Sequence, residues 1–207
     1  MSPDGPAIRV LLAEDEEVIR EALTELLARE PDMEVIAAVP DGRRAVEEAR
    51  KWRPDVVIVD LEMPRLDGLG VVTELTRILP NVPVIVLTGH GRPVILRKAL
   101  MSGARGFLAK GAPGATVADV VRRVRAGSRY VDPVLAAEAL TAPASPLTAR
   151  EAEILAAAGV DRPVRDLARE LHLSPGTVRN YLTAIAQKLG VRDRSEAFRT
   201  GREQGWI

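Results

Sequence analysis

Short apolar runs and longer amphipathic runs alternate along the first part of the chain. Ile8 to Ala13 (IRVLLA) has strand length and is closed by Glu14-Asp15, after which Val18, Ala22, Leu23, Leu26 and Leu27 repeat at three and four to Ala28, the period of a helix. Met33 to Val39 reads as a second strand, and Asp41-Gly42 opens a helix through Ala45, Val46 and Ala49 to about Trp52. Val56 to Val59 is an unbroken β-branched run. That pattern predicts a strand covered on both faces, because a strand with one wet face alternates apolar with polar. It stops at Asp60, and Met63-Pro64 and Asp67-Gly68 turn the chain into a helix with the period Leu69, Val72, Leu75. Val82 to Leu87, ending at Thr88, repeats the buried-strand character, with a helix expected behind it from about Val94 to Ser102. Gly106 to Leu108 is a short strand ending at Lys110, and Thr116 to Ala126 carries Val117, Val120, Val121 and Val124 on one side of a last helix. Five strand-helix alternations predict an α/β domain, a parallel sheet with helices on both faces.

The pattern then changes. Pro133, Pro143 and Pro146 interrupt an Ala-rich stretch, so residues 130–146 read as a linker between a domain of residues 1–129 and one of residues 147–207. Beyond it only helical periods occur. Thr148 with Glu151 three residues on forms a capping box for a helix with Ile154, Leu155 and Ala158 on its apolar stripe. Pro163 begins a second helix with Leu167, Ala168 and Leu171, and after His172-Leu173 a third, capped by Ser174 with Pro175 in its first turn, runs to about Leu189. Ser195 to Gln204 makes a fourth.

Composition narrows the chemistry. With 29 basic and 29 acidic residues in 207, bulk charge does not drive binding to polyanions, and any nucleic-acid contact must come from a local patch. Cysteine is absent, which removes disulfides and thiolate catalysis and fits a reducing compartment. No apolar run exceeds strand length and the N-terminal MSPDGPAIRV has no basic head with an apolar core, so a soluble, unexported, cytoplasmic protein is expected.

Glu14 and Asp15, Asp60, Thr88 and Lys110 all follow strands. If the first and third strands are neighbours at the point where the strand order reverses, three carboxylates meet in one crevice. Like charges that close raise at least one pKa unless a cation joins them, and hard oxygen donors suit Mg²⁺. An ammonium and a hydroxyl aimed at the same volume complete what transfer of a phosphoryl group to Asp60 requires. Taken singly, each of these residues is ordinary: acidic loops are usually solvated and a Thr after a strand usually caps it.

LLAED at 11 to 15, VVIVDLEMPRLDG at 56 to 68, VIVLTG at 84 to 89 and GARGFLAK at 103 to 110 strongly resemble the receiver domain of bacterial two-component response regulators. The resemblance implies a flavodoxin-like, doubly wound five-stranded parallel sheet of order 2-1-3-4-5 and acyl-phosphate formation on Asp60 from a sensor histidine kinase. It further implies Mg²⁺ held by Asp15, Asp60 and the backbone carbonyl of Glu62, with Glu14 in the outer shell, and Thr88 and Phe107 reporting the phosphoryl group by changing position beside Lys110. Glu14 stands where Asp is commoner, and Phe107 lacks the hydroxyl of the more frequent Tyr. Glu62 and His90 fall where dephosphorylation is tuned in that family.

In the second domain no acidic residue lies between Glu170 and Asp193, while Arg179, Lys188 and Arg192 lie on or beside the third helix. With Val178, Leu182, Ile185 and Leu189 packed inward, Thr177, Arg179, Asn180, Thr183 and Gln187 face out. Charge alone favours a solvated amphipathic helix there. LTAREAEIL at 147 to 155 and DLARELHLSPGTVRNYLTAIAQKLGVRDRSEA at 166 to 197, however, closely resemble the four-helix helix-turn-helix domain of the NarL/FixJ (LuxR-type) regulators. By position, that resemblance makes Arg179, Asn180 and Thr183 base-facing and Thr177 and Lys188 phosphate contacts. Asp161 and Pro163 replace the usual turn Gly and capping Ser, so that corner is expected to differ. The closing EQGWI, with TVRNY, is similar to regulators paired with membrane-fluidity-sensing kinases.

The expected protein is therefore a DNA-binding transcriptional response regulator, not an enzyme, with a histidine kinase, promoter DNA and a second copy of itself as partners and no insertion into a membrane. Two enzyme readings compete. An aspartyl-phosphate phosphatase also uses a strand-end Asp with Mg²⁺ but wants a second Asp where Glu62 stands. A dinucleotide-binding enzyme would use Gly89-x-Gly91, which lacks its third glycine, Val94 standing there. In a third reading the four helices bind protein instead of DNA.

Overall fold

The computed structural model describes residues 6–89, 93–141 and 145–207; the N-terminal MSPDG, His90, Gly91 and Pro143 lie outside them. The chain divides into two compact units, residues 1–140 and 141–207.

In the first unit, β1 (Ile8–Ala13), β2 (Met33–Val39), β3 (Val56–Asp60), β4 (Val84–Thr88), β5 (Gly106–Ala109) and β6 (Tyr130–Val131) form one sheet of order β2-β1-β3-β4-β5-β6 with every pairing parallel. Every residue of β3 and β4 is buried, which is why their sequences do not alternate. Side chains leave the two faces with period two. Leu11, Val57, Val59, Val86 and Phe107 pack with α2 (Gly42–Trp52), α3 (Gly68–Ile78) and α4 (Pro93–Met101). Val10, Leu12, Ile58, Ile85 and Leu108 pack with α1 (Glu17–Ala28) and α5 (Gly114–Arg125) on the other face. The helices thus sit on both sides of the sheet, and the strand order reverses between β1 and β3.

The sheet has one strand more than the sequence led us to expect, and the extra strand lies in the stretch read as linker. Tyr130 donates its N–H to the Arg105 carbonyl at 2.9 Å and Asp132 to that of Phe107 at 2.9 Å, extending the ladder. A two-residue strand carries no periodicity to read. Pro133, taken as an interruption, begins α6 (Pro133–Thr141), whose first turn is capped by the Asp132 carboxylate through the N–H groups of Val134 and Leu135. Leu135 is buried among the α4-side residues. Elsewhere β4 starts at Val84, two residues later than its apolar run, and α5 starts at Gly114, two residues earlier than the expected Thr116.

The second unit holds α7 (Ala149–Ala158), α8 (Val164–Glu170), α9 (Pro175–Leu189) and α10 (Arg194–Glu203) around Ile154, Leu155, Leu167, Val178, Leu182, Ile185 and Ala197. Thr148 and Glu151 form the expected capping box, and Ser174 caps α9 by accepting from the Thr177 N–H. Asp193 caps α10, accepting from the Glu196 N–H at 2.8 Å. Ser195 bonds the Val160 carbonyl, and the Arg194 guanidinium reaches the carbonyls of Val160 and Arg162. The corner before α8, with Pro163 at its N-cap and no capping side chain, is thus held from α10.

Candidate functional site

The register Ala13 with Val59 and Asp60 with Leu87 brings the carboxyl ends of β1, β3 and β4 level, and Lys110, just past β5, donates its N–H to the Thr88 carbonyl at 2.8 Å. The residues that follow those strands must therefore share one notch. Carboxylate oxygens of Glu14, Asp15 and Asp60 lie within 4.8 Å of one another. The Lys110 ammonium stands 2.8 Å from Glu14 Oε1, 3.1 Å from Asp60 Oδ2 and 3.7 Å from Glu16 Oε1. Asp60 is only 2% exposed and Glu14 fully buried, whereas Asp15 faces solvent.

Burial pushes the Asp60 carboxyl above its usual range, an effect that Lys110 and the N–H groups of Glu62 and Leu61 only partly offset. Burial also raises the Glu14 carboxyl, against its hydrogen bond to Lys110 and with reinforcement from the Asp60 charge. For Lys110 burial acts downward, but its bonds to Glu14 and Asp60 outweigh it and hold the ammonium charged. Three carboxylates and one ammonium leave the cluster short of positive charge. Glu14 Oε2 is buried without a hydrogen-bond partner, a buried acceptor waiting for a donor or a cation. Clustered hard oxygens with an unsatisfied acceptor among them fit a divalent cation such as Mg²⁺.

The loops are fixed by backbone contacts. Arg20 Nη1 donates to the Glu14 carbonyl at 2.8 Å, and Leu61 N–H to that of Leu87 at 2.9 Å. A Cβ on Gly68 would lie 2.4 Å from the Asp60 carbonyl oxygen, so only glycine lets α3 begin this close to Asp60. The structure therefore brings Glu14, Asp15, Asp60 and Lys110 together, with Thr88 buried at the end of β4 and Phe107 wholly buried in β5. Glu62 is exposed on the loop after β3. One participant, Glu16, escaped the sequence reading, hidden in an ordinary acidic run. Outside the notch, Arg65 pairs with the buried Asp41 across 24 positions with no local signal.

On α9 the side chains of Arg179, Asn180, Thr183 and Gln187 are exposed, while Val178, Leu182 and Ile185 are buried. Thr177 is half-buried, its hydroxyl 2.8 Å from that of Ser174. Lys188 does not point freely outward: its ammonium lies 2.7 and 2.8 Å from the two Glu151 carboxylate oxygens.

A family model described as "Response regulator receiver domain" matches residues 10–122, and one described as "Bacterial regulatory proteins, luxR family" matches residues 145–200. The transcriptional regulatory protein YvfU of Bacillus subtilis is 40% identical over 97% of this chain and 100% of its own length. DesR of the same organism is 38% identical over 97% of this chain and 99% of its own. Among solved structures, the response regulator ChrA of a heme-sensing two-component system aligns with 98% of this chain and all of its own, at 32% identity and a TM-score of 0.60. An RcsB–DNA complex has the same fold, with a TM-score of 0.67 at 21% identity over 96% of this chain and 98% of that one. The chain belongs to the response regulators, DNA-binding transcriptional regulators of two-component systems in which a receiver domain is joined to a luxR-type helix-turn-helix domain.

Proposed function

We propose that Asp60 is the phosphoacceptor of this regulator and that its phosphorylation promotes dimerisation and promoter binding in the cytoplasm. The receiver is taken as residues 1–129 and the DNA-binding domain as residues 147–207, with β6 and α6 in the connection between them. One observation carries the reading: a buried Asp60 carboxylate with an ammonium 3.1 Å away and two further carboxylates beside it. Such a carboxylate is a nucleophile already paired with the cation that its product needs.

In the transfer, an Asp60 carboxylate oxygen attacks the phosphorus of a phosphohistidine on the kinase. The new O–P bond forms as the P–N bond breaks, the electron pair goes to the imidazole nitrogen, and the acyl phosphate stays on Asp60. The Lys110 ammonium balances charge on the phosphoryl oxygens, and the Thr88 hydroxyl lies on the adjoining strand end. Phe107 and Thr88 change position with the phosphoryl group; Phe107 does so by packing alone, having no hydroxyl. Asp15, Asp60 and the Glu62 carbonyl would hold Mg²⁺, with Glu14 behind them, and the bound ion supplies charge neutralisation of the phosphoryl oxygens.

In the second domain Arg179, Asn180 and Thr183 read base edges in a major groove, and Thr177 and Lys188 meet phosphates. A single module contacts few phosphates, so two copies on half-sites about one helical turn apart give useful affinity. The protein acts as a regulator and not as a phosphatase: Glu62 is exposed where a phosphatase needs its acid/base Asp. Footprinting of promoter fragments with and without beryllofluoride tests this. Protection that appears with beryllofluoride and is lost in Arg179→Ala supports it, the Arg179 contact being worth roughly 1–3 kcal/mol. Footprints unchanged by that substitution would refute the DNA assignment.

A further inference from the structure

The amino end of the sheet, opposite Asp60, carries a second concave feature. A cavity of about 300 Å³ opens where the chain enters β4, β5 and β6, and its lining includes Asn81, Gly103, Arg105, Arg125, Gly127 and Arg129 but no acidic residue. Pairing of Gly106 with Tyr130, and the bond from the Tyr130 N–H to the Arg105 carbonyl, set Arg105 and Arg129 side by side just ahead of the two adjacent strands. Like charges opposed across neighbouring strands destabilise a sheet unless something of opposite sign sits between them. Among the described residues nothing does. Both side chains are exposed, and among the described residues neither makes an ion pair or side-chain hydrogen bond.

The acid that pairs with the lining Arg125 is already committed. Asp55 pairs with Arg125 at 3.2 Å and accepts the Arg9 N–H at 2.9 Å. The Arg105 and Arg129 charges therefore face the cavity uncompensated, beside the Asn81 amide. At Gly127 the space is open, since a Cβ there would meet nothing within 4 Å.

We propose that this cavity binds a small phosphate monoester. A guanidinium presents parallel N–H donors that match phosphate oxygens two at a time, and two adjacent forks fit a dianion. A volume of about 300 Å³ is at the small end of ligand pockets and exceeds what a bare phosphate fills, so the ligand carries a modest organic body. The site is separate from the phosphoacceptor notch, because its residues lie at the amino ends of β4, β5 and β6 whereas Asp60 and Lys110 stand at the carboxyl ends of β3 and β5.

The test titrates adenosine monophosphate into the full-length protein in EDTA, which keeps phosphate from being drawn to the acidic notch by metal, and follows calorimetry and backbone amide shifts. Saturable binding is expected, with shifts at Gly103 and Gly127, and binding at least about tenfold weaker in the Arg105→Ala/Arg129→Ala variant. Those exposed, unpaired side chains are dispensable for folding, so the variant should melt as the parent does. Absence of saturation, undiminished binding by the double variant, or equal binding of adenosine without its phosphate would each overturn the proposal.

Discussion

Lys188 on α9 holds both carboxylate oxygens of Glu151 on α7, at 2.7 and 2.8 Å, and Glu151 in turn accepts the Thr148 N–H at 2.7 Å. The side chain expected from the sequence to meet DNA phosphates is thus a clamp between the capping box and α9. An ammonium has three donors, so a phosphate contact remains open to it.

That clamp predicts a stability effect with a defined pH dependence. The hydrogen bond from Lys188, then that from the Thr148 N–H, holds the Glu151 carboxyl below its ordinary value of 4.5. A carboxyl with a depressed folded-state pKa contributes stability at neutral pH, and that contribution is lost as pH falls below 4.5 through the folded value. Glu151→Ala should lower unfolding free energy by about 1–2 kcal/mol, since it removes half of the capping box. Glu151→Gln keeps the box and should lose only the charge-dependent part. Urea unfolding at a series of pH values checks this: the gap between wild type and Glu151→Gln should close on acidification, and a gap independent of pH would remove the ion pair from the account.

Gly68 ties stability to the loop that holds Asp60. Its added Cβ would meet the Asp60 carbonyl oxygen at 2.4 Å and Leu61 Cα at 2.9 Å, both backbone atoms with little room to yield. Gly68→Ala should cost about 1–3 kcal/mol as overpacking and displace the loop whose N–H groups bond Asp60. Thermal unfolding should show the loss, and acyl-phosphate formation should slow even at temperatures where the variant is folded. A variant that is destabilised but labels at the wild-type rate would show that the loop position does not matter to the chemistry.

The convergence at Asp60 was legible in the sequence because each chemical residue follows a strand, and strands of uninterrupted Val, Ile and Leu announce themselves. The register that levels their ends then does the rest. Tyr130–Val131 was not legible as a strand, since two residues have no period and Pro133 reads equally as a stop or as the first residue of a helix. The Asp41–Arg65 pair and the Lys188–Glu151 clamp join residues far apart in sequence, and no local pattern marks such partners. The last helix was read from Ser195, one residue inside its start at Arg194, because its cap Asp193 lies ahead of any apolar period.

The orphaned Glu14 Oε2 and the solvent-facing Asp15 give a separate expectation for metal. A cation that binds the folded state alone raises its stability with concentration. Mg²⁺ should therefore raise Tm in the wild type and raise it much less in Asp15→Asn, whose fold does not depend on that exposed side chain. Identical titration curves for the two would place the cation elsewhere.

The account rests on Asp60 as the nucleophile, and mass spectrometry of the protein incubated with acetyl phosphate and Mg²⁺ tests that most directly. One phosphoryl group should appear, map to the peptide containing Asp60, release in hydroxylamine as an acyl phosphate does, and be absent from Asp60→Ala. A label that persists in Asp60→Ala, or that maps to another residue, would contradict it.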